Sequence, residues 1–255
     1  MIKIKNKNEI KIMREAGKNL AYVLESVSKK VRPGISTKEL DNIAKNLIIS
    51  LGDEPAFLNY KPKGGRLVYP ASLCVSINNE VVHGIPSPNR ILKEGDIVSL
   101  DLGLKHNGFF SDMAVTLPVG KINKKYEKLL RVTEESLVVG INSIKKGSHV
   151  GDIGYSIEKF VKPFKFGIVR VLSGHGIGKE LHEDPFVPNF GKKGSGEILL
   201  PGMVIAIEPM LNEGSHKVFV DKDGWTFKTE DGGRSAHFEH TILIKEDSAE
   251  ILTKI

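Results

Sequence analysis

Asp101 and Asp112 lie on two alternating apolar runs, 97–103 and 109–117, separated by the turn signal Asn107-Gly108. Successive side chains of an extended chain point to opposite faces, so Asp101 points away from Val98, Leu100 and Leu102. Whether the turn is centred on 106/107 or on 107/108, a hairpin sets the two aspartates directly or diagonally opposite on one face. Their Cβ atoms are then roughly 5 to 8 Å apart. Like charges that close within an apolar strand pair repel unless something neutralises them, and a bound cation would. For these two residues alone, a pair of aspartates on a solvated face is the plainer account.

His175 stands in Ser173-Gly174-His175-Gly176-Ile177-Gly178. The glycines let the backbone come close to a bound group and leave one imidazole as the functional side chain. Their spacing is not the G-x-G-x-x-G of a dinucleotide loop, and a P-loop would need Lys followed by Ser or Thr. Glu208 ends the apolar run 204–207 and precedes Pro209, while Glu239 sits between Phe238 and His240 at the head of 241–244. Carboxylates at the edge of such strands are seldom buried unless paired or metal-bound. Singly, the histidine reads as incidental to a glycine-rich turn, and each glutamate as a strand-end charge in water.

As a set they read differently. Asp101, Asp112, Glu208 and Glu239 carry four negative charges, which two divalent cations balance and one does not. With one imidazole, His175, and no thiolate, the donor set suits Mn, Fe(II) or Co as well as Zn. Two metals about 4 Å apart can share a water, lower its pKa and polarise a carbonyl for hydrolysis. Other hydrolytic templates fail. His182-Glu183 would open an H-E-x-x-H zinc motif, but position 186 is Phe, and Ser195 has Lys193 and Glu197 where a G-x-S-x-G elbow needs glycines.

The elements that must position these residues come in a repeated order. An amphipathic helix is predicted over 8–31, with Met13, Ala16, Leu20, Val23, Leu24 and Val27 on one stripe. Ser36 and Glu39 form a capping box for a second helix, which turns Leu40, Ile43, Ala44, Leu47 and Ile48 inward. Strands follow at 73–77, 97–103 and 109–117. After Gly120 come a helix over about 124–144, another carrying Ile153, Ile157 and Phe160, and strands at 168–172, 203–207 and 238–244. Gly34 matches Gly147, and Leu40, Ala44 and Leu47 match Ile153, Ile157 and Phe160, at one common offset. The pattern predicts an α+β fold, and over residues 1–255 one domain or two fused halves are both plausible. Two related halves, approximately 8–120 and 121–250, share a sheet with the site between them.

Composition narrows the setting. An apolar fraction of 40% and a charged fraction of 27% are ordinary for a soluble globular chain. The net charge of +6, from 37 basic and 31 acidic residues, is compatible with polyanionic surroundings such as ribosomal RNA, but it is also common among soluble proteins. No aromatics interleave with Lys3, Lys5, Lys7 and Lys11, as a nucleic-acid stacking platform would need. Cys74 is the single cysteine, which excludes an internal disulfide and a multi-thiolate zinc site; a small core residue is its plain reading. The N-terminus shows no apolar signal core, and the most apolar stretch, 198–211, is broken by Pro201, Gly202, Glu208 and Pro209. A cytoplasmic protein with no membrane span is expected.

Six segments carry a family resemblance: Cys74-Val75-Ser76-Ile77-Asn78-Asn79-Glu80-Val81-Val82-His83-Gly84-Ile85-Pro86, Ser99-Leu100-Asp101-Leu102-Gly103, Gly108-Phe109-Phe110-Ser111-Asp112, Gly174-His175-Gly176-Ile177-Gly178, Ile207-Glu208-Pro209-Met210 and Phe238-Glu239-His240-Thr241. In order and spacing they resemble the type I methionine aminopeptidases, from the first helix to the C-terminus. The resemblance implies the pita-bread fold, two pseudo-symmetric halves over a curved antiparallel sheet, and removal of initiator methionine when the next residue is small. It implies that Asp101 binds one metal through both oxygens, that Asp112 and Glu239 bridge two metals, and that His175 and Glu208 complete the other. His83 and His182 match the histidines at the scissile amide; Tyr69, Cys74 and Trp225 match positions lining the methionine pocket. Glu208 is also the candidate proton acceptor for a metal-bridging water that attacks the methionyl carbonyl. His83 and His182 would stabilise the tetrahedral intermediate or the leaving amine.

Two positions depart from that pattern. Leu181 stands where some relatives carry an aromatic, and Arg66 near where some place a tyrosine, which bears on the shape of the pocket. The expected partners are the N-terminal methionine of nascent polypeptides and, transiently, the ribosome, with no specific nucleic acid, for a monomer. A proline-directed dipeptidase of the same fold would use the same five ligands but usually carries an additional N-terminal domain. A non-enzymatic relative would have lost ligands, and all five are present.

Overall fold

A computed structural model describes residues 2–62, 64, 65 and 67–254. Arg66 lies outside the described residues. The chain opens with helices α1 (Lys7–Ser28) and α2 (Thr37–Ser50), followed by β1 (Glu54–Pro55), β2 (Leu73–Ile77), β3 (Glu80–Val82), β4 (Ile97–His106) and β5 (Phe109–Pro118). Helices α3 (Lys124–Asn142) and α4 (Val150–Val161) come next. Short strands complete the chain: β6 (Gly167–Ile168), β7 (Gly174–Gly176), β8 (Glu183–Val187), β9 (Val204–Ile207), β10 (Met210–Asn212), β11 (Val218–Val220), β12 (Phe227–Thr229), β13 (Ser235–His237), β14 (Glu239–Ile244) and β15 (Ala249–Ile251).

The helices start and stop where local chemistry says they should. Asn6 caps α1 by accepting from the amides of Asn8 and Glu9, and Glu9 returns a bond to the Asn6 amide. Ser36 and Glu39 make the same reciprocal box at α2. The stripe of α1, including Met13, Leu20, Leu24 and Val27, is buried, each such side chain contributing on the order of 1.5–3 kcal/mol relative to exposure. Of the strand expected over 168–172, only Gly167–Ile168 pairs, and a single further bond carries Val169 N–H to the Met210 carbonyl.

The principal sheet runs β1-β4-β5-β14-β9-β7-β8, with β2 paired to β4 and β15 to β14. Each of these pairings is antiparallel. One face of the sheet packs against helices: Val98, Leu100 and Leu102 meet the apolar side of α1 and α2, while Ile205, Ile207 and Ile242 meet that of α3 and α4. Strand alternation then dictates that Asp101, Ala206, Glu208 and Thr241 point to the opposite face.

Candidate metal centre

The β4–β5 register pairs His106 with Phe109, so Asp101 lies opposite Ala114 and Asp112 opposite Gly103. Of the two arrangements open to the hairpin, the aspartates adopt the diagonal one. Strand β14 continues the pattern. Glu239 pairs with Ala114, and the β14–β9 register, His240 with Ile207, puts Glu239 level with Glu208 one step further. Cys74 pairs with Asp101 on the other side. One transverse row therefore reads Cys74, Asp101, Ala114, Glu239, Glu208.

The next row, two residues away, reads Asp112, Thr241, Ala206, His175, since Gly176 pairs with Ile205 and Thr241 with Ala206. Thr241 is fixed to Asp112 by two bonds: its hydroxyl donates to the Asp112 carbonyl at 2.8 Å and accepts from the Asp112 amide at 3.0 Å. Ala114, Ala206 and Thr241 are small, and they leave room above the sheet between the larger acidic side chains. The glycines beside His175 have a steric reason. A Cβ on Gly174 would stand 2.3 Å from the Ala206 carbonyl oxygen, and one on Gly176 would stand 2.0 Å from that of Asp184.

All five expected ligands line one cavity of about 590 Å³, together with His83, His182, Tyr69, Cys74 and Trp225. Asp112, His175 and Glu239 each bring a donor atom within 4.8 Å of the others. Asp101 Oδ1 and Glu239 Oε1 are buried and accept no hydrogen bond from the protein. Burial pushes the Asp101 carboxyl up to about 7 and that of Glu208 to about 8. Burial, with neighbouring negative charge added, raises Asp112 and Glu239 well above the usual range. Among the described residues no Lys or Arg pairs with any of the four; only the imidazoles of His175 and His237 stand within 4 Å of Glu208. Anionic oxygens gathered without a counter-charge are what a cation site looks like before its cations are added.

The His175 ring also has a fixed orientation. Its Nδ1 lies 2.9 Å from the Gly176 carbonyl, to which it donates, so Nε2 is left as a lone pair facing the carboxylates. Burial, and then the nearby His182, hold His175 down at about 3, so the ring stays neutral.

The remaining walls come from distant segments. His83 takes a left-handed backbone, φ +60, next to Gly84, where a Cβ would strike the Val75 carbonyl oxygen at 2.3 Å. The Tyr69 hydroxyl donates to the Gly84 carbonyl at 3.0 Å, and its ring meets that of Trp225 edge-on at 5.3 Å. Leu181 is buried in the same wall. His182 stands exposed at the mouth, with its ring 4.4 Å from that of His175 and its Nδ1 2.6 Å from the Tyr60 hydroxyl.

Two residues here escaped the sequence reading. Tyr60 sits in an irregular segment with no pattern to flag it. His237 had a signal, because it lies two residues before Glu239 across adjoining strands. It forms a third row with Ser99, Thr116 and Met210. Its backbone N–H and C=O both pair with the Thr116 hydroxyl at 2.8 Å.

The turn that presents His182 is clamped from outside. Glu183 accepts from the Lys179 and Glu180 amides and from Lys5 Nζ at 2.8 Å, an ion pair in which both side chains are only 4% exposed. Lys5→Ala should cost about 1–3 kcal/mol by leaving a buried oxygen short of its donor, and should lower turnover by loosening the His182 turn. A melting temperature and peptidase rate equal to the unsubstituted protein's would remove Lys5 from this account.

The model of metallopeptidase family M24 matches residues 11–246. The chain belongs to metallopeptidase family M24. Across its whole length, and the whole of theirs, this M24 chain is 49% identical to a methionine aminopeptidase of Clostridium perfringens and 48% identical to methionine aminopeptidase 1 of Bacillus subtilis. Its structure superposes on the methionine aminopeptidase of Thermotoga maritima with a TM-score of 0.95 at 46% identity, each chain fully covered. Against the prolidase from Pyrococcus furiosus the TM-score is 0.75 at 24% identity, with 99% of this chain and 65% of that one covered, which is a likeness of fold. The architecture is the pita-bread fold.

Proposed function

We propose that this M24 metallopeptidase removes the N-terminal methionine of polypeptides whose second residue is small. The observation that carries this reading is the convergence of three buried carboxylates, the half-buried Glu208 and one lone-pair imidazole on a cavity walled by Tyr69, Cys74 and Trp225. Aromatic rings and a thiol suit an unbranched thioether, which makes favourable sulfur contacts and tolerates an irregular pocket.

The residues present fit two divalent cations, Co, Mn, Fe(II) or Zn by donor type, with Asp101, Asp112, His175, Glu208 and Glu239 holding them. Such cations, when bound, supply a water of lowered pKa and a Lewis acid for the methionyl carbonyl. The chain's own groups do the rest. Glu208, beside that position, accepts the water's proton and passes it to the leaving amine. The Tyr60 hydroxyl donates to Nδ1 of His182, which leaves Nε2–H to stabilise the oxygen that becomes negative. His83, held neutral at about 4 chiefly by burial and then by the neighbouring imidazoles, donates from the opposite wall.

The halves approximately 8–120 and 121–250 are read as related units, each giving helices to the outside and ligands to the shared sheet. The same reading makes the enzyme a cytoplasmic monomer that meets nascent chains at the ribosome. Among the described residues no helix is long and apolar enough to cross a membrane.

Metal-loaded protein should cleave Met-Ala-Ser at least a hundredfold faster than an Xaa-Pro dipeptide, compared by kcat/KM. A preference for the proline substrate would transfer the chain to the dipeptidase branch of its fold.

A further inference from the structure

His237 is the one histidine of the site to which neither the motifs nor the expected ligand set gives a task. It is 1% exposed, and both of its ring nitrogens are buried without a hydrogen-bond partner. A buried polar group left unmatched costs on the order of 1–3 kcal/mol, so an imidazole with two such atoms calls for an explanation. An apolar residue of similar size would pack there at no such cost.

The explanation lies in what surrounds Glu208. Its two carboxylate oxygens are flanked by two imidazoles, His175 Nε2 at 3.6 Å from Oε1 and His237 Nε2 at 3.6 Å from Oε2. The two rings are not equivalent. His175 gives its Nδ1 proton to the Gly176 carbonyl, so its Nε2 is a lone pair and cannot donate to Glu208. His237 has no carbonyl at Nδ1 that would fix the opposite tautomer. Its proton is free to reside on Nε2, which stands 3.6 Å from Oε2 of the Glu208 carboxylate. The backbone of His237 is pinned at both its N–H and its C=O to Thr116, whose hydroxyl lies 2.8 Å from that of Ser99, so the ring is presented from a rigid base.

We infer that His237 is a positioning residue: as an Nε2–H donor toward Oε2 of Glu208 it would fix that carboxylate and leave Oε1, the oxygen beside His175 Nε2, free to bind a cation. The inference rests on the two-metal reading above and deepens it by assigning one imidazole to the metal and the other to the carboxylate. A donor behind a metal-binding carboxylate fixes its rotamer before the ion arrives. Loss of such an outer partner typically weakens metal binding 10–100-fold.

The side chains of Gln and Asn separate the atoms involved. Gln places an amide nitrogen near the position of Nε2, whereas Asn places it near Nδ1 and out of reach of Glu208. Full-length protein stripped with chelator, as wild type, His237→Gln and His237→Asn, is titrated with CoCl2 alone, and binding is read by calorimetry and by Co(II) d–d absorption. The expected result is two Co(II) per wild-type chain. His237→Gln should lie within about threefold of wild type at both, and His237→Asn should be weakened about 10–100-fold at one and unchanged at the other.

Equal affinity of the Asn variant and wild type would overturn the inference, and so would equal weakening of both variants, which would make the ring itself a ligand. Wild-type protein that binds no Co(II) would instead sink the metal-centre reading, and this inference with it. The metal-free melting temperature of each variant, a readout separate from the loaded enzyme, should stay near wild type, because all three side chains leave the Thr116 backbone pairing intact.

Discussion

Glu239→Gln should abolish methionyl-peptide turnover and at the same time raise the melting temperature of the metal-free protein. The two effects share one cause. Glu239 is 2% exposed, one of its oxygens has no partner, and Asp112, Glu208 and Asp101 all add negative charge to its surroundings. Its ionised form is tolerable only opposite cations. The neutral amide of nearly the same shape removes the repulsion but also removes one of the five groups proposed to hold the cations. Turnover should fall by at least about three orders of magnitude, as expected when a group acting in the transition state is lost. Without metal, Glu239 must take up a proton or stay charged in order to be buried, and sparing the fold that cost should be worth about 1 kcal/mol or more, roughly 2–4 °C in Tm for a chain of this size. Calorimetric scans of chelator-treated protein and a peptidase assay with added Mn(II) or Co(II) check both halves. A variant that is inactive and also less stable without metal would mean that Glu239 holds the fold together rather than the ions.

The metal-free protein should also lose stability as pH rises from about 6.5 to above 8. Carboxyls pushed up by burial, Asp101 to about 7 and Glu208 to about 8, keep their protons in the folded state at pH values where the unfolded chain has released them. Folding therefore takes up protons in this window, and stability falls as pH climbs through these values. Below about 6.5 a counter-trend enters. His175 and His83, held neutral down to about 3 and about 4, resist protonation that the unfolded chain accepts, so acidification destabilises the fold through them. The two trends oppose each other on the acid side, and only the carboxyls act on the alkaline side. Bound cations need ionised carboxylates, so saturation with metal should flatten or reverse the alkaline slope. Urea midpoints at pH 6.5, 7.5 and 8.5, with chelator and with metal, give the comparison. A metal-free midpoint that stays level across that range would show that the carboxylates are solvated after all.

Some of this chemistry was legible in the sequence because it depends on short-range geometry. Asp101 and Asp112 sit on one hairpin, so alternation alone brings them to one face, and only the choice between direct and diagonal pairing waited for the turn. Glu208 and Glu239 were recognisable as charges at the ends of apolar strands. That they stand level depends on a β14–β9 register that no local pattern encodes. His83 and Trp225 meet across the cavity, their ring centroids 6.4 Å apart, although far apart in the chain; only the family resemblance placed them together. His237 was readable in principle by the same alternation as Glu239. It was overlooked because a single histidine in a buried strand usually needs no special account. The strand expected beyond Ile168 shows the opposite error, since apolar β-branched residues supply propensity, whereas pairing requires a neighbour in register.

The place of β14 in the sheet bears on how the enzyme is made. Glu239–Ile244 is inserted between β5 and β9, yet it follows both of them in the chain and so is synthesised after them. Until it emerges, the earlier strands form two separate arrays with open edges, and the acidic residues on them have no common centre. A nascent chain therefore acquires no partial activity as it lengthens. The closing strand joins the two arrays and assembles the ligand set in a single step, so a truncated product would be exposed to aggregation and unable to trap metal in the site.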